Sequence, residues 1–276
     1  MVSCALAAST VFAAYPEKPI TVVVPFAAGG PTDVVARTLS QAMGTQLKGS
    51  MIVENAGGAG GTIGAGKVAR AAGDGYTLLF HHIGMSTAPS LYRKLDFKPL
   101  EDFIPIGAVV DVPMTLIAKP QTTQTNAKDL LAYIRANKEK INLANAGVGS
   151  ASHLCGLLLQ NAMKTDLTTV PFSGTGPAMT ALLGGNVDIM CDQTTNTTGQ
   201  IKGGKVKAVA VTSKNKLANF PDLPPLASEL PGFEVGVWHI LYAPKNTPAD
   251  VVTKLQSALQ ASIKDPSFAA KMKDLG

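Results

Sequence analysis

The chain has 276 residues, 46% of them hydrophobic and 16% charged. That describes a globular α/β-sized protein with a large core and excludes a disordered or collagen-like one. The net charge is +5, but the 24 Lys and Arg are scattered, which argues against nucleic-acid binding and weakly favours small acidic ligands or an anionic membrane surface.

Met1–Ala14 is apolar and uncharged and ends Val11-Phe12-Ala13, just before the polar Tyr15-Pro16-Glu17-Lys18. This reads as the remnant of a secretory signal peptide without its positive n-region, so the mature protein is expected in the periplasm. No later segment reaches the ~18 continuous apolar residues of a membrane span. Cys4, Cys155 and Cys191 suggest no disulfide framework. Without Cys4 one pair remains; spacing leaves a bridge open, and two buried thiols are the expectation.

Ile20–Val24 is a β-branched run that predicts a buried strand. Pro25-Phe26-Ala27-Ala28-Gly29-Gly30-Pro31-Thr32-Asp33 follows, and Val34–Met43 has helical spacing, with Gly44 as the stop. Gly29 and Gly30 permit positive φ, Thr32 is placed to cap, and Pro31 and Asp33 suit a first turn. Such a turn aims backbone N–H groups at a crevice beyond the strand's carboxyl end, an anion site.

Met51–Val53 predicts a second strand, and Asn55–Gly66 a long glycine loop leading into a short helix. Tyr76–Phe80 is a strand, and His81–Pro89 a polar turn. Ile106–Val110 and Met114–Ala118 are two extended runs split by Asp111-Val112-Pro113. Asp129–Lys140 reads as a helix and Ile141–Ala146 as a strand, running into Gly147-Val148-Gly149-Ser150-Ala151-Ser152-His153 and a helix over Leu154–Met163. Thr168–Phe172, Ser173–Pro177 and Ala178–Leu183 repeat strand, small-residue turn and helix. Val187–Cys191, Lys207–Thr212 and Val235–Ala243 are extended, and Pro248 onward is helical. Alternating strands and helices predict a mainly parallel sheet. Three such turns in two halves predict two lobes joined at Ile106–Ala118 and Val235–Ala243, with a ligand cleft between them.

Three motifs invite other chemistry. Gly58-Ala59-Gly60-Gly61-Thr62-Ile63-Gly64 is near a dinucleotide fingerprint, but its register is wrong and no acidic residue sits about 20 positions on. Ser150, Ser152 and His153 suggest a hydrolase, yet no Gly-x-Ser-x-Gly elbow is present. His81-His82 lacks acidic or Cys partners at metal-ligand spacing. The reading is therefore a binding protein without cofactor or metal, not an enzyme, with a Ser/His hydrolase as the competing class.

The Pro25–Asp33 stretch resembles the Pro-Phe-x-x-Gly-Gly-x-x-Asp signature of the Bug family, solute receptors of tripartite tricarboxylate transporters. Val53-Glu54-Asn55 with Gly58–Gly64, Asp74–Leu79, Gly149–Leu154, Phe172–Ala178 and Asp188–Asp192 match further family blocks in order. The resemblance implies a two-lobed type II periplasmic-binding-protein fold with two hinge crossings. Lobe one is expected over 15–110 and 235–276 and lobe two over 111–234, behind the 1–14 leader.

It also implies a monomeric receptor that takes a small carboxylate to membrane transporter subunits, or a periplasmic sensor built on the same module. Implied ligand residues are Phe26, Ala28, Gly29, Gly30, Thr32 and Asp33 in the first turn and His82, Gly84, Met85 and Ser86 in the third. The other lobe is expected to add Gly149, Ser150, Ser152, His153, Phe172, Gly174, Thr175 and Asp192. Bulky Phe26, His82, Met85 and Phe172 add an aromatic acid to the expected ligands. Two departures stand out: relatives commonly carry small residues where this chain has His81–Thr87, and they usually continue past Gly276, so the sequence looks truncated at both ends.

Overall fold

The computed structural model describes residues 15–276; the leader reading of 1–14, Cys4 included, lies outside them. In chain order the strands are β1 (Ile20–Val24), β2 (Met51–Asn55), β3 (Thr77–His82), β4 (Phe103–Ala118), β5 (Asn142–Asn145), β6 (Thr168–Pro171), β7 (Ile189–Gln193), β8 (Lys207–Val211) and β9 (Gly236–Pro244). The helices are α1 (Pro31–Leu47), α2 (Thr62–Ala69), α3 (Gly84–Leu91), α4 (Ala127–Ala136), α5 (Ala151–Met163), α6 (Thr175–Leu183), α7 (Thr194–Lys202), α8 (Ala249–Ile263) and α9 (Pro266–Asp274).

The strand order is β2-β1-β3-β9-β4-β7-β5-β6, with β8 also on β4. β1 pairs in parallel with β2 and β3, and β5 with β6 and β7. β4 joins the two halves. Its first part runs antiparallel to β9 from Phe103 to Pro113, and Met114 to Ala118 pairs with β7. The two apolar runs of the sequence are thus one strand. Pro113 is tolerated because it faces Gly236, the last pair of the β9 ladder.

Each half buries both faces of its sheet, which is why the strands read as continuous apolar runs. Val22 and Val24 face α1 and α8 with Leu39, Leu78, Phe80 and Leu255, while Val23, one residue out of phase, packs with Val68, Leu79 and Phe103. In the other half Met114, Leu116, Leu130, Leu143 and Leu159 form one layer and Ile117, Ala144, Met179, Leu182 and Met190 the opposite one. The two-lobed α/β architecture is as the sequence predicts, but the sheet is mixed and not mainly parallel: the pairings of β1 and β5 are parallel, and every pairing of β4 and β9 is antiparallel.

Several local expectations are corrected. Gly44 lies inside α1, which runs to Leu47 and ends on a left-handed Lys48. The expected polar turn at His81–Pro89 is the end of β3 and then α3, with Pro89 inside it. α7 fills a stretch after Asp192 where the sequence predicts no element; its Thr-Thr-Asn-Thr-Thr start has low helix propensity. Tertiary bonds support it instead: Thr115 Oγ1 donates to Thr197 Oγ1 at 2.8 Å and Thr194 Oγ1 to the Gly276 carbonyl at 2.9 Å. Cys155 and Cys191 are not two thiols but a disulfide, with Cα atoms 6.1 Å apart. Spacing alone hid it, because the bridge requires α5 to lie directly on β7.

Candidate ligand-binding site

A cavity of about 290 Å³ opens where the two halves meet. Its walls come from five places in the sequence: Pro25–Ala27 with Gly30–Thr32, the glycine loop Gly57–Gly61, the turn Ala146–Val148 with Ser150–Ser152, the turn Phe172–Thr175, and the end of β7 at Asp192 and Gln193. His82 and Tyr92 complete them.

Four helices begin at this cavity. α1 starts at Gly30, α5 at Ser150, α6 at Gly174 and α7 at Gln193. Only α5 is capped by its own side chain; the N-cap residues of α1, α6 and α7 make no such bond. A helix start leaves backbone N–H groups without intrahelical partners and carries about half a positive charge. The cavity therefore presents a convergent positive field with no Lys or Arg in its lining. Its one acidic side chain is Asp192.

The first turn is held from within. The Gly29 N–H donates to Asp33 Oδ2 at 2.8 Å, Arg37 Nε to the same oxygen at 2.9 Å, and Asn55 Nδ2 to Asp33 Oδ1 at 2.8 Å. Burial pushes the Asp33 carboxyl up; the bonds from Arg37, Gly29 and Asn55 outweigh it and hold the pKa below the ordinary carboxylate value. Asp33 is a staple of the turn and does not line the cavity. Only Gly29, at φ 77°, uses the left-handed freedom expected of both glycines; Gly30 sits at φ −75° as the N-cap. Thr32 is not the cap. Its Oγ1 lies 3.2 Å from His239 Nε2, on the hinge strand β9.

His82 is buried and its ring stacks on Phe26, centroids 4.3 Å apart. The Gly84 N–H donates to its Nδ1 at 2.9 Å, so the proton of the neutral ring sits on Nε2. Burial, with His81 and His239 nearby, keeps the His82 pKa well below the usual histidine value. Burial likewise lowers His81 to about 3 and His239 to about 4. These rings do not make a metal site: among the described residues no group of three His, Cys, Asp or Glu could hold an ion.

In the second half Ser150 Oγ accepts from the His153 N–H at 3.2 Å, Ser152 Oγ accepts from the Ala146 N–H at 2.9 Å, and the two hydroxyls are 3.1 Å apart. One hydroxyl proton is spent between the serines, which leaves the other for a ligand. His153 Nδ1 accepts from the Gly149 N–H at 3.2 Å. No serine hydroxyl reaches its ring among the described residues, so the geometry of a hydrolase pair is missing.

Of the residues singled out in the sequence, Phe26, Gly30, Thr32, His82, Ser150, Ser152, Phe172, Gly174, Thr175 and Asp192 line the cavity. Ala28, Gly29, Asp33, Gly84, Gly149 and His153 are not part of the lining, and Ala28 and Gly29 are exposed. Met85 belongs to the core with Val68 and Phe103, and exposed Ser86 Oγ donates to the Ile83 carbonyl at 2.8 Å. α3 explains both: the helix turns its second and third residues away from the cleft. The glycine loop, expected either to pack lobe one or to border the cleft, borders it through Gly57–Gly61, whereas nothing in the sequence marks Tyr92 as lining. Tyr92 Oη donates to the Val148 carbonyl at 2.8 Å, a bond between the halves. Gly60 is at φ 61°, and a Cβ there would overlap the Val148 carbonyl oxygen, so the close approach requires glycine.

Residues 35–276 match the family described as tripartite tricarboxylate transporter family receptor. The chain belongs to that family. These receptors include Bug proteins: the solved periplasmic binding protein BugD is 56% identical, with a TM-score of 0.92 over 95% of this chain and 88% of its own. MatC from Rhodopseudomonas palustris with bound malate is 42% identical, with a TM-score of 0.90 over 95% of this chain and 90% of its own. A UPF0065 protein from the TAR-I ttuE-ttuC' intergenic region of Agrobacterium vitis is 47% identical over 95% of this chain and 76% of its own length. The receptor is thus a solute-binding protein of the periplasmic type and not an enzyme, and it shares the two-lobed fold of its solved relatives.

Proposed function

We propose that this receptor captures a small organic carboxylate in the cavity between its lobes and carries it to the membrane subunits of a tripartite transporter, after export through its N-terminal leader. The observation that carries the reading is the meeting of four helix starts, three without side-chain caps, in a cavity that has no basic side chain. An anion is the ligand such a wall suits. The MatC relative with malate supports the same chemistry.

The magnitudes are sufficient. Hydrogen bonds to a charged group contribute roughly 1.5–3 kcal/mol each. Three give about 5–9 kcal/mol before ordering costs, and micromolar affinity needs about 8 kcal/mol, so apolar contacts from Phe26 and Phe172 supply the remainder.

The lobe division at 110/111 and 234/235 is supported by the change of strand partner at Pro113 and Met114 and by the start of β9 at Gly236. Closure about these crossings shapes the surface offered to the transporter. Thermal-shift and calorimetric screening of aliphatic and aromatic mono-, di- and tricarboxylates tests the reading. Binding of one or more acids, lost in Gly30→Val while the apo protein stays folded, is the expected result; no response to any acid would overturn it. Phe26, His82 and Phe172 argue for the aromatic arm of the screen, from which Met85 is now removed.

A further inference from the structure

Two groups in the cavity are acceptors with nothing to accept from the ligand carboxylate. The first is the Thr32 hydroxyl. His239 Nδ1 lies 2.9 Å from the Val237 carbonyl, which can only accept, so the ring proton is on Nδ1. Burial holds this ring neutral, with its pKa lowered to about 4. Nε2 is therefore a lone pair, and the Thr32 hydroxyl donates its only proton to it at 3.2 Å. Toward the cavity Thr32 has lone pairs alone.

The second is Asp192, 1% exposed, at the end of β7. Asn196 Nδ2 donates to its Oδ2 at 2.6 Å, and no cation faces it among the described residues. Burial pushes its carboxyl up to about 7, against the bonds from Asn196 and the Gln193 backbone. A carboxylate that takes two uncharged donors and no cation keeps acceptor capacity toward the cavity, and leaving that capacity unmet at a buried site is costly.

Resting on the receptor reading above, we propose that the solute carries, besides its carboxylate, a hydrogen-bond donor. A hydroxyl or ammonium substituent is read by Thr32 Oγ1 from one lobe and the Asp192 carboxylate from the other. The carboxylate meets the helix starts, the Ser150–Ser152 hydroxyl and His82 Nε2–H; the donor meets the two acceptors. A cavity divided this way discriminates against the unsubstituted acid, because that acid displaces water from Asp192 without offering it a donor in return.

Matched acids test it by calorimetry on the mature chain at pH 7.5: malate and aspartate against succinate, lactate and alanine against propionate, citrate against tricarballylate. The expected result is a preference of at least tenfold for a substituted acid over its unsubstituted partner. Malate and aspartate separate a hydroxyl from an ammonium donor. Asp192→Asn and Thr32→Val should each cut the preference to within a few fold, and Thr32→Ser should restore it. Acids that bind equally well with and without the donor overturn this inference and leave the receptor reading standing, as does a preference that persists in both variants. Should the variants not fold, the wild-type ratios decide alone. Failure of every acid to bind overturns both readings.

Discussion

The turns that start α1 and α5 have the same layout and spend their polar groups differently. In lobe one the Asp33 carboxylate is fully engaged by Gly29, Arg37 and Asn55, and the Thr32 proton is committed to His239. In lobe two Ser150 and Ser152 keep a hydroxyl proton uncommitted, and Asp192 faces the cavity without a cation. One turn is rigid because its charges satisfy one another, and the other is receptive because its groups are only partly satisfied. An acidic residue beside a glycine turn is thus not evidence of ligand contact; what decides is whether the fold has already given it partners.

That contrast can be broken from either side. The largest effect is expected from the Cys155–Cys191 bridge, which ties α5, bearer of the serines, to β7, bearer of Asp192. Closing a loop of 36 residues is worth about 4 kcal/mol in the chain-entropy model. Cys155→Ala with Cys191→Ala should lose about that much in urea unfolding and weaken solute binding, whereas a loss below about 1 kcal/mol would mean that packing alone holds lobe two.

Acidification should set the histidines against Asp192 by sign. The three histidines near α1 have folded pKa values below the unfolded 6.5, so the unfolded chain binds more protons and stability falls as pH drops below 6.5. Each contributes up to about 1.4 kcal/mol per pH unit. Asp192 is raised to about 7, so between pH 7 and 4 it gains stability as pH falls, with a similar slope. The net expectation between pH 6 and 5 is a loss of about 3 kcal/mol from these four groups, to which half-buried His153, also lowered by burial, adds a smaller share. Asp192→Asn should steepen that loss and stabilise the apo protein at pH 8; a pH-independent midpoint would refute the assignment.

Asp33→Ala should cost about 2 kcal/mol, since it strands the Gly29 and Asn55 donors. Its mark is a weaker affinity for every acid tested, without a change in preference among them. The smallest effect is expected from Tyr92→Phe, which removes the bond to the Val148 carbonyl. A loss of about 1 kcal/mol should appear as faster solute release in stopped-flow traces, with apo stability nearly unchanged; an unaltered off-rate would argue that the bond does not hold the lobes.

Much of the architecture was legible in the chain. Buried parallel strands write continuous apolar runs, and each β-strand, small-residue turn and helix left its own local signature. What escaped depended on partners distant in sequence. α7 is made of residues that avoid helices and is held by Thr115 and Gly276. β4 looked broken at Pro113 because the Gly236 opposite it could not be known. Asp33 was visible as an acid in a first turn, but its engagement needed Asn55, 22 residues away; Arg37, four residues on, was the local clue. Tyr92 carries no motif, and the motif around Gly60 does not show that this glycine is required, because both owe their place in the cavity wall to contact across the cleft.

β4 and β9 are hydrogen-bonded side by side from Phe103 and Pro244 to Pro113 and Gly236. Both passages between the lobes therefore belong to one two-stranded ribbon and not to separate flexible tethers. A ribbon of paired strands bends more readily than its members slide past each other, since sliding would break the ladder. The lobes are left with one soft direction of travel, like a book on a stiff spine. Solute selection then reads out along a single opening angle, and small losses of contact on either page translate directly into how long the book stays shut.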